Sequence, residues 1–138
     1  MTGYVDPDRD NWQRFKDLPR DTPIQLLNLI RFRELAVYPD GHPMQGRGLA
    51  GREAFALYSR AFQDHVRLMG AAMVWEGRLE CTITGPDGEW DHAFVMGFPG
   101  SATMMAMVKN PDYIRDIVPH RTAAVADSRL IRFAPSAG

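Results

Sequence analysis

The sequence predicts an α+β domain with elements in the order β-α-β-β-α-β, preceded by a short helix. Three observations predict it. Residues 24–33 (Ile-Gln-Leu-Leu-Asn-Leu-Ile-Arg-Phe-Arg) form a short apolar run between Pro23 and a turn-rich segment, which reads as a buried strand. Residues 51–69 carry Phe55, Tyr58, Phe62, Val66 and Met69 at helical spacing. Residues 72–84 and 90–98 are two strand-like runs separated by Gly85-Pro86-Asp87-Gly88, strong turn chemistry that makes them a hairpin. That order is the split-βαβ, ferredoxin-like pattern, a four-stranded antiparallel sheet with its helices on one face.

The remaining elements follow in chain order. Trp12, Phe15 and Leu18 give residues 8–18 one apolar helical face, ended by Pro19. In the first strand, alternation places Ile24, Leu26, Asn28, Ile30 and Phe32 on one face and Leu27 and Leu29 on the other. Both faces are apolar, so both require cover. Residues 34–50 contain Pro39, Gly41, Pro43, Gly46 and Gly48 and form a long loop, either a solvated excursion or a segment whose Tyr38 and His42 close over a pocket. Gly70 stops the main helix. Gly77 interrupts the strand 72–84 and predicts a bulge there. Trp90, His92, Phe94, Met96 and Phe98 share one face of the return strand. Ser101 is expected to cap a Met-rich helix over 102–109. Asn110-Pro111 restarts a short helix that Pro119 ends, and residues 127–133 form the last strand. The chain is one domain over 1–138, with residues 1–22 as an N-terminal helical extension. The apolar outer face of the sheet points to a second copy as its cover, hence a homodimer.

Composition excludes several classes. The chain has 138 residues and a net charge of −1 from 16 basic and 17 acidic side chains, which argues against a nucleic-acid surface. A single cysteine, Cys81, excludes an internal disulfide framework and a multi-cysteine zinc site; its alternation with Leu79 and Ile83 reads as a small buried hydrophobe. No apolar run approaches membrane-spanning length, and the first residues have neither the basic start nor the apolar core of a signal peptide. The expectation is a soluble, cytoplasmic protein with no membrane or nucleic-acid partner.

Several ordered segments resemble the DUF1330 family, a group of uncharacterised proteins of the dimeric α+β barrel superfamily. They are Leu-Leu-Asn-Leu-Ile-Arg-Phe-Arg at 26–33, Tyr-Pro-Asp-Gly at 38–41, Gly-Arg-Glu-Ala-Phe at 51–55 and Trp-Glu-Gly-Arg-Leu-Glu at 75–80. Trp-Asp at 90–91, Phe-Pro-Gly-Ser at 98–101, Asn-Pro-Asp-Tyr at 110–113 and the stretch from His120 to Ile131 complete the set. The resemblance implies the ferredoxin-like fold and dimerisation. It also implies a link to the superfamily's cofactor-independent monooxygenases, some of whose haem-degrading members use an Asn, a Trp and a His. Asn28 and Trp75 sit on suitable strands for that pattern, while His120 falls after the last helix rather than within one.

The chemistry legible in the residues is a set of polar groups on apolar elements. No metal motif is present, since His42, His65, His92 and His120 are far apart in sequence, and no cofactor is expected. The candidate catalytic residues are Asn28, His65 and His120. An Asn amide or a His N–H can orient a carbonyl or an oxyanion, and a histidine can move a proton. The candidate substrate contacts are Tyr58, Trp75, Glu80, His92, Tyr113 and Arg121, with Glu76 beside them at the Gly77 bend. Each has a plainer alternative: Asn28 bonds backbone, Trp75 is core, Arg121 pairs with Asp127 or Asp116. Three readings follow: a small-molecule-binding or monooxygenase- or isomerase-like domain with a pocket between sheet and helices, a non-catalytic dimeric sensor, or a self-associating structural module.

Overall fold

A computed structural model of the chain describes residues 3–136. The elements are α1 (Arg9–Asp17), β1 (Ile24–Phe32), α2 (Gly51–Arg67), β2 (Ala72–Arg78), β3 (His92–Phe98), α3 (Ser101–Lys109), a π-helical turn (Tyr113–Ile117) running into α4 (Val118–Ala124), and β4 (Val125–Phe133). The sheet has the order β2-β3-β1-β4 with every neighbour antiparallel. This is the ferredoxin-like arrangement. Among the described residues no helix is long and apolar enough to cross a membrane.

The period-2 pattern of β1 sets the layers. Ile24, Leu26, Asn28 and Ile30 are buried, and the residues between them are partly covered. Phe94, Met96 and Phe98 of β3 continue this inner face. Phe55, Tyr58, Phe62 and Val66 of α2 pack against it, recurring every three or four residues as an amphipathic helix requires. Burying each such side chain contributes on the order of 1.5–3 kcal/mol, so the α2 stripe alone holds the helix on the sheet.

The outer face differs. Register aligns Trp75, Val95, Leu27 and Ile131 in one row across all four strands, with Phe133 in the adjacent row opposite Gln25. Trp75, Ile131 and Phe133 are 54%, 40% and 49% exposed. The Trp75 indole lies over Gly77, where a side chain would meet it.

Several expectations change at the level of single turns. β2 ends at Arg78 rather than 84, and its bulge lies between Met73 and Trp75 rather than at Gly77. Val74 is the extra residue, and Gly77 instead makes room for the indole. Trp90 precedes β3. Ser101 does not cap α3; it is the first helical residue, fully buried, with its hydroxyl toward the Pro19 carbonyl, and Gly100 takes the cap position. Asn110 caps the next segment as expected, accepting from the Asp112 and Tyr113 amides at 2.8 and 3.2 Å. Pro119 does not end the helix. The turn before it widens so that the Val118 N–H reaches the Tyr113 carbonyl five residues back, and the proline ring enters α4 in its first turn. Cys81 is exposed, because the chain beyond Arg78 has left the sheet.

Gly51 is the tightest backbone approach at the start of α2: a Cβ there would run into the Arg33 carbonyl. Gly51→Ala is therefore expected to lower stability by about 1–3 kcal/mol, read as a lower urea midpoint. Ala56→Ser, on the exposed side of the same helix, is expected to leave the midpoint in place. Equal midpoints for both would show that the Arg33 backbone moves freely.

Candidate functional site

The chain leaving β1 follows the end of α4. The Arg33 N–H donates to the Ala124 carbonyl at 2.7 Å and the Val37 N–H to the Ala123 carbonyl at 3.0 Å. Ala36 donates to the Leu49 carbonyl, and Leu35 bridges Ala50, closing the neck of the 34–50 loop. Tyr38 is thereby laid against α4, 5% exposed, with its hydroxyl 2.7 Å from Nδ1 of His120. His42 stacks on the Tyr38 ring at 4.7 Å, and His120 stands edge-on to both rings at 5.5 and 5.6 Å. A turn at the loop tip holds His42 in place. Gly41 takes φ +85°, and its N–H donates to the Gln45 side chain at 2.9 Å.

Hydrogen bonding fixes the protonation chemistry. The Met44 N–H donates to His42 Nδ1 at 3.0 Å, so that nitrogen is an acceptor and neutral His42 carries its proton on Nε2. Neutral His42 is thus a donor through Nε2 and lacks the free lone pair there that a metal would need. Among the described residues no group of three metal-ligating side chains occurs. Burial, and then the neighbouring His42, pull the His120 pKa below its ordinary value. Burial also pushes the Tyr38 phenol up, so it stays protonated near neutrality. The rings open on a shallow cleft of about 500 Å³ between the loop tip and the π-helical turn. Pro39 and Pro43 form apolar rims, and Arg115 and Asp116 form the far wall. Arg115 is tied to Asp112 and Asp116 at 2.9 Å.

Two crystal structures of RPA0582 resemble this chain along its whole length. One, of the methylated protein, is 41% identical with a TM-score of 0.86, covering 99% of this chain and 97% of that one. The other, described as a protein of unknown function from Rhodopseudomonas palustris, is 39% identical with a TM-score of 0.87, covering 99% and 100%. The chain belongs to the RPA0582 family. No known family profile matches it, and no curated protein does.

In this RPA0582-family chain the sequence-predicted residues separate. His120 alone reaches the cleft, and it lies inside α4, not after a helix. Asn28 is buried on the inner face and donates to the Leu26 carbonyl at 3.2 Å, its plainer alternative. Trp75 stands on the outer face, neither core nor within reach of Asn28. Tyr58 and Tyr113 lie in the core, where burial pushes both phenols up. His65 packs at 5.7 Å from the Tyr113 ring, its Nε2 buried without a partner. His92 meets Glu76 at 3.4 Å and packs on Phe32 and Phe55. Glu80 is exposed beyond the end of β2. Arg121 pairs with neither Asp127 nor Asp116: it donates to the Val5 carbonyl at 2.7 Å and toward the Ser128 hydroxyl, pinning the N-terminal segment. Arg31 and Arg129 pair with Asp127 instead. Sequence reasoning missed Arg115 and Asp116. The only signal was Pro119, which forces the widened turn that carries them.

Because the folded His120 titrates below its unfolded value, the unfolded chain takes up a proton first as pH falls. Its contribution to stability is complete above the ordinary histidine pKa and is lost as pH falls through that value toward the depressed one. His42→Gln removes the neighbouring imidazole, the second cause of the depression, and is expected to raise the His120 pKa toward its ordinary value. Ring-carbon NMR titration of both proteins checks this, and an unchanged His120 curve would assign the depression to burial alone.

Proposed function

We propose that the Tyr38–His42–His120 cleft binds a small organic molecule and moves a proton on it. The observation that carries this reading is the 2.7 Å contact between the Tyr38 hydroxyl and His120 Nδ1 beside a second, tautomer-fixed histidine in an open cleft. A histidine kept neutral near pH 7 is ready to act as a base, and a buried phenol on its far nitrogen orients it and steadies its protonated form. The support is the geometry of one site; Asn28 and Trp75 take no part in it.

We also infer a homodimer of DUF1330-like proteins, and the partly exposed row Trp75–Leu27–Ile131 supports this second reading. An apolar band running the width of a sheet is costly in water and matches a second copy of itself by symmetry. The exposed lone cysteine fits a reducing, cytoplasmic setting.

A library of small organic fragments, screened by the NMR signals of the His and Tyr rings, tests the first reading. Hits are expected to shift His42 and His120, and Tyr38→Phe to weaken them by roughly 2–10-fold, the loss of one hydrogen bond. Hits that shift only other residues, or none at all, would sink it. For the dimer, light scattering is expected to give twice the chain mass for the native protein and a folded monomer for Leu27→Lys. A native monomer across the concentration range would refute it.

A further inference from the structure

The composition of the cleft wall carries the reading of the site one step further. Its one guanidinium, Arg115, already has Nε and Nη on Asp116 and another bond to Asp112. Asp116 spends both oxygens on that arginine, and Asp40 holds the Gln45 amide at 2.8 Å. The one cation of the cleft is thus outnumbered by carboxylates: Arg115 keeps a single Nη unbonded and Asp40 a single oxygen, so the wall disfavours an anion and offers no cluster of carboxylates to a cation. The groups the two rings present to a ligand are the His42 Nε2–H, a fixed donor, and the far nitrogen of His120. Two proline rings supply the apolar contact.

Resting on the acid–base reading above, we infer that the ligand is an uncharged carbonyl compound with a hydrogen on the adjacent carbon, and that the cleft interconverts it with its enolate. A carbonyl oxygen takes the His42 N–H. The neighbouring C–H faces His120 Nε2, which is free to accept when Nδ1–H is donated to the Tyr38 oxygen. His120 removes the proton, and the C–H electron pair becomes the carbon–carbon double bond. The carbonyl π pair moves to oxygen, where the hydrogen bond from His42 strengthens. Returning the proton to the same carbon gives exchange; returning it to a conjugated position gives isomerisation. Nothing is oxidised or reduced, and no co-reactant is consumed.

Cyclohexanone in D2O is the test, with α-C–H loss followed by proton NMR and 4-oxopentanoate as an anionic counterpart. The native protein is expected to speed cyclohexanone exchange above buffer. His120→Asn is expected to lose about 100-fold or more of that rate. His42→Gln is expected to lose roughly 100-fold, with the fold of each variant checked by its amide spectrum. The rate is expected to rise with pH as His120 loses its proton and then level off; the groups facing it are His42, Tyr38, Asp40, Arg115 and Asp116. Exchange that survives in His120→Asn, or runs faster on 4-oxopentanoate, would overturn the inference. Cyclohexanone that shifts the His42 and His120 rings without exchanging would overturn it too, while leaving the cleft a binding site. Failure of either compound to shift those rings, in a protein whose fragment hits also lie elsewhere, would remove the acid–base reading itself.

Discussion

The backbone pairing between the exit of β1 and the end of α4 is the constraint on which the site depends. β1 runs the length of β4 until the register shifts between Arg31 and Phe32. Instead of turning away, the chain stays hydrogen-bonded to Ala124 and Ala123 as far as Val37. Such close approach needs small side chains. Ala123, Ala124 and Ala54 have no exposed surface, and Gly51 lies directly under Arg33. A larger residue at any of them would lift the loop from α4 and carry Tyr38 away from His120. The loop tip is long and turn-rich, yet its two ends are fixed, and a loop held in this way can keep its side chains in one geometry.

The fold separates two demands. The inner face of the sheet is satisfied within one chain, by α2, α3 and their aromatic and methionine side chains. The outer face is not, and its apolar row is half-covered on the central strands and exposed at Trp75 and Ile131 on the edge strands. The cleft belongs to neither surface. It is built from the 34–50 loop, the π-helical turn and α4, on the helical side of the molecule. Covering the outer face would therefore leave the cleft open, because no residue of the outer row lines it. Leu27 belongs to the outer row and not to the cleft, so a substitution there alters one surface without touching the other.

Much of this architecture was legible because it rests on periodicity. The alternation of residues 24–32 and the stripe of α2 leave few folds to choose from, and they placed β1, α2 and the hairpin near their observed positions. What failed were events that one residue decides through its tertiary surroundings. Gly77 signalled a bulge because a glycine in a strand usually does, but here it makes room for an indole. Pro119 signalled a stop because proline breaks helices, but a preceding π turn removes the clash. Cys81 kept the alternation of a strand that had already ended. The site was half legible. Tyr38 and His42 drew notice together in the loop and His120 separately, but 82 residues separate Tyr38 from His120, and no local pattern encodes that contact.

Strand parity decides how far the resemblance to the Asn–Trp–His monooxygenases extends. Asn28 pairs with Phe94, a buried residue of the inner face. Trp75 pairs with Val95, and Val95 with Leu27, one residue out of phase. The bulge at Val74 sets Trp75 in the outer row, across the sheet from Asn28, so no rotamer brings the carboxamide and the indole to one pocket. A one-residue slip of β2 would do so, but it would also turn Met73 out of the core and expose the apolar face it packs on. Asn28 is already satisfied in part by the Leu26 carbonyl and does not require a ligand. Of that constellation only the histidine keeps a place beside an accessible cleft. It does so with partners drawn from a loop, Tyr38 and His42, which share no element with either strand residue.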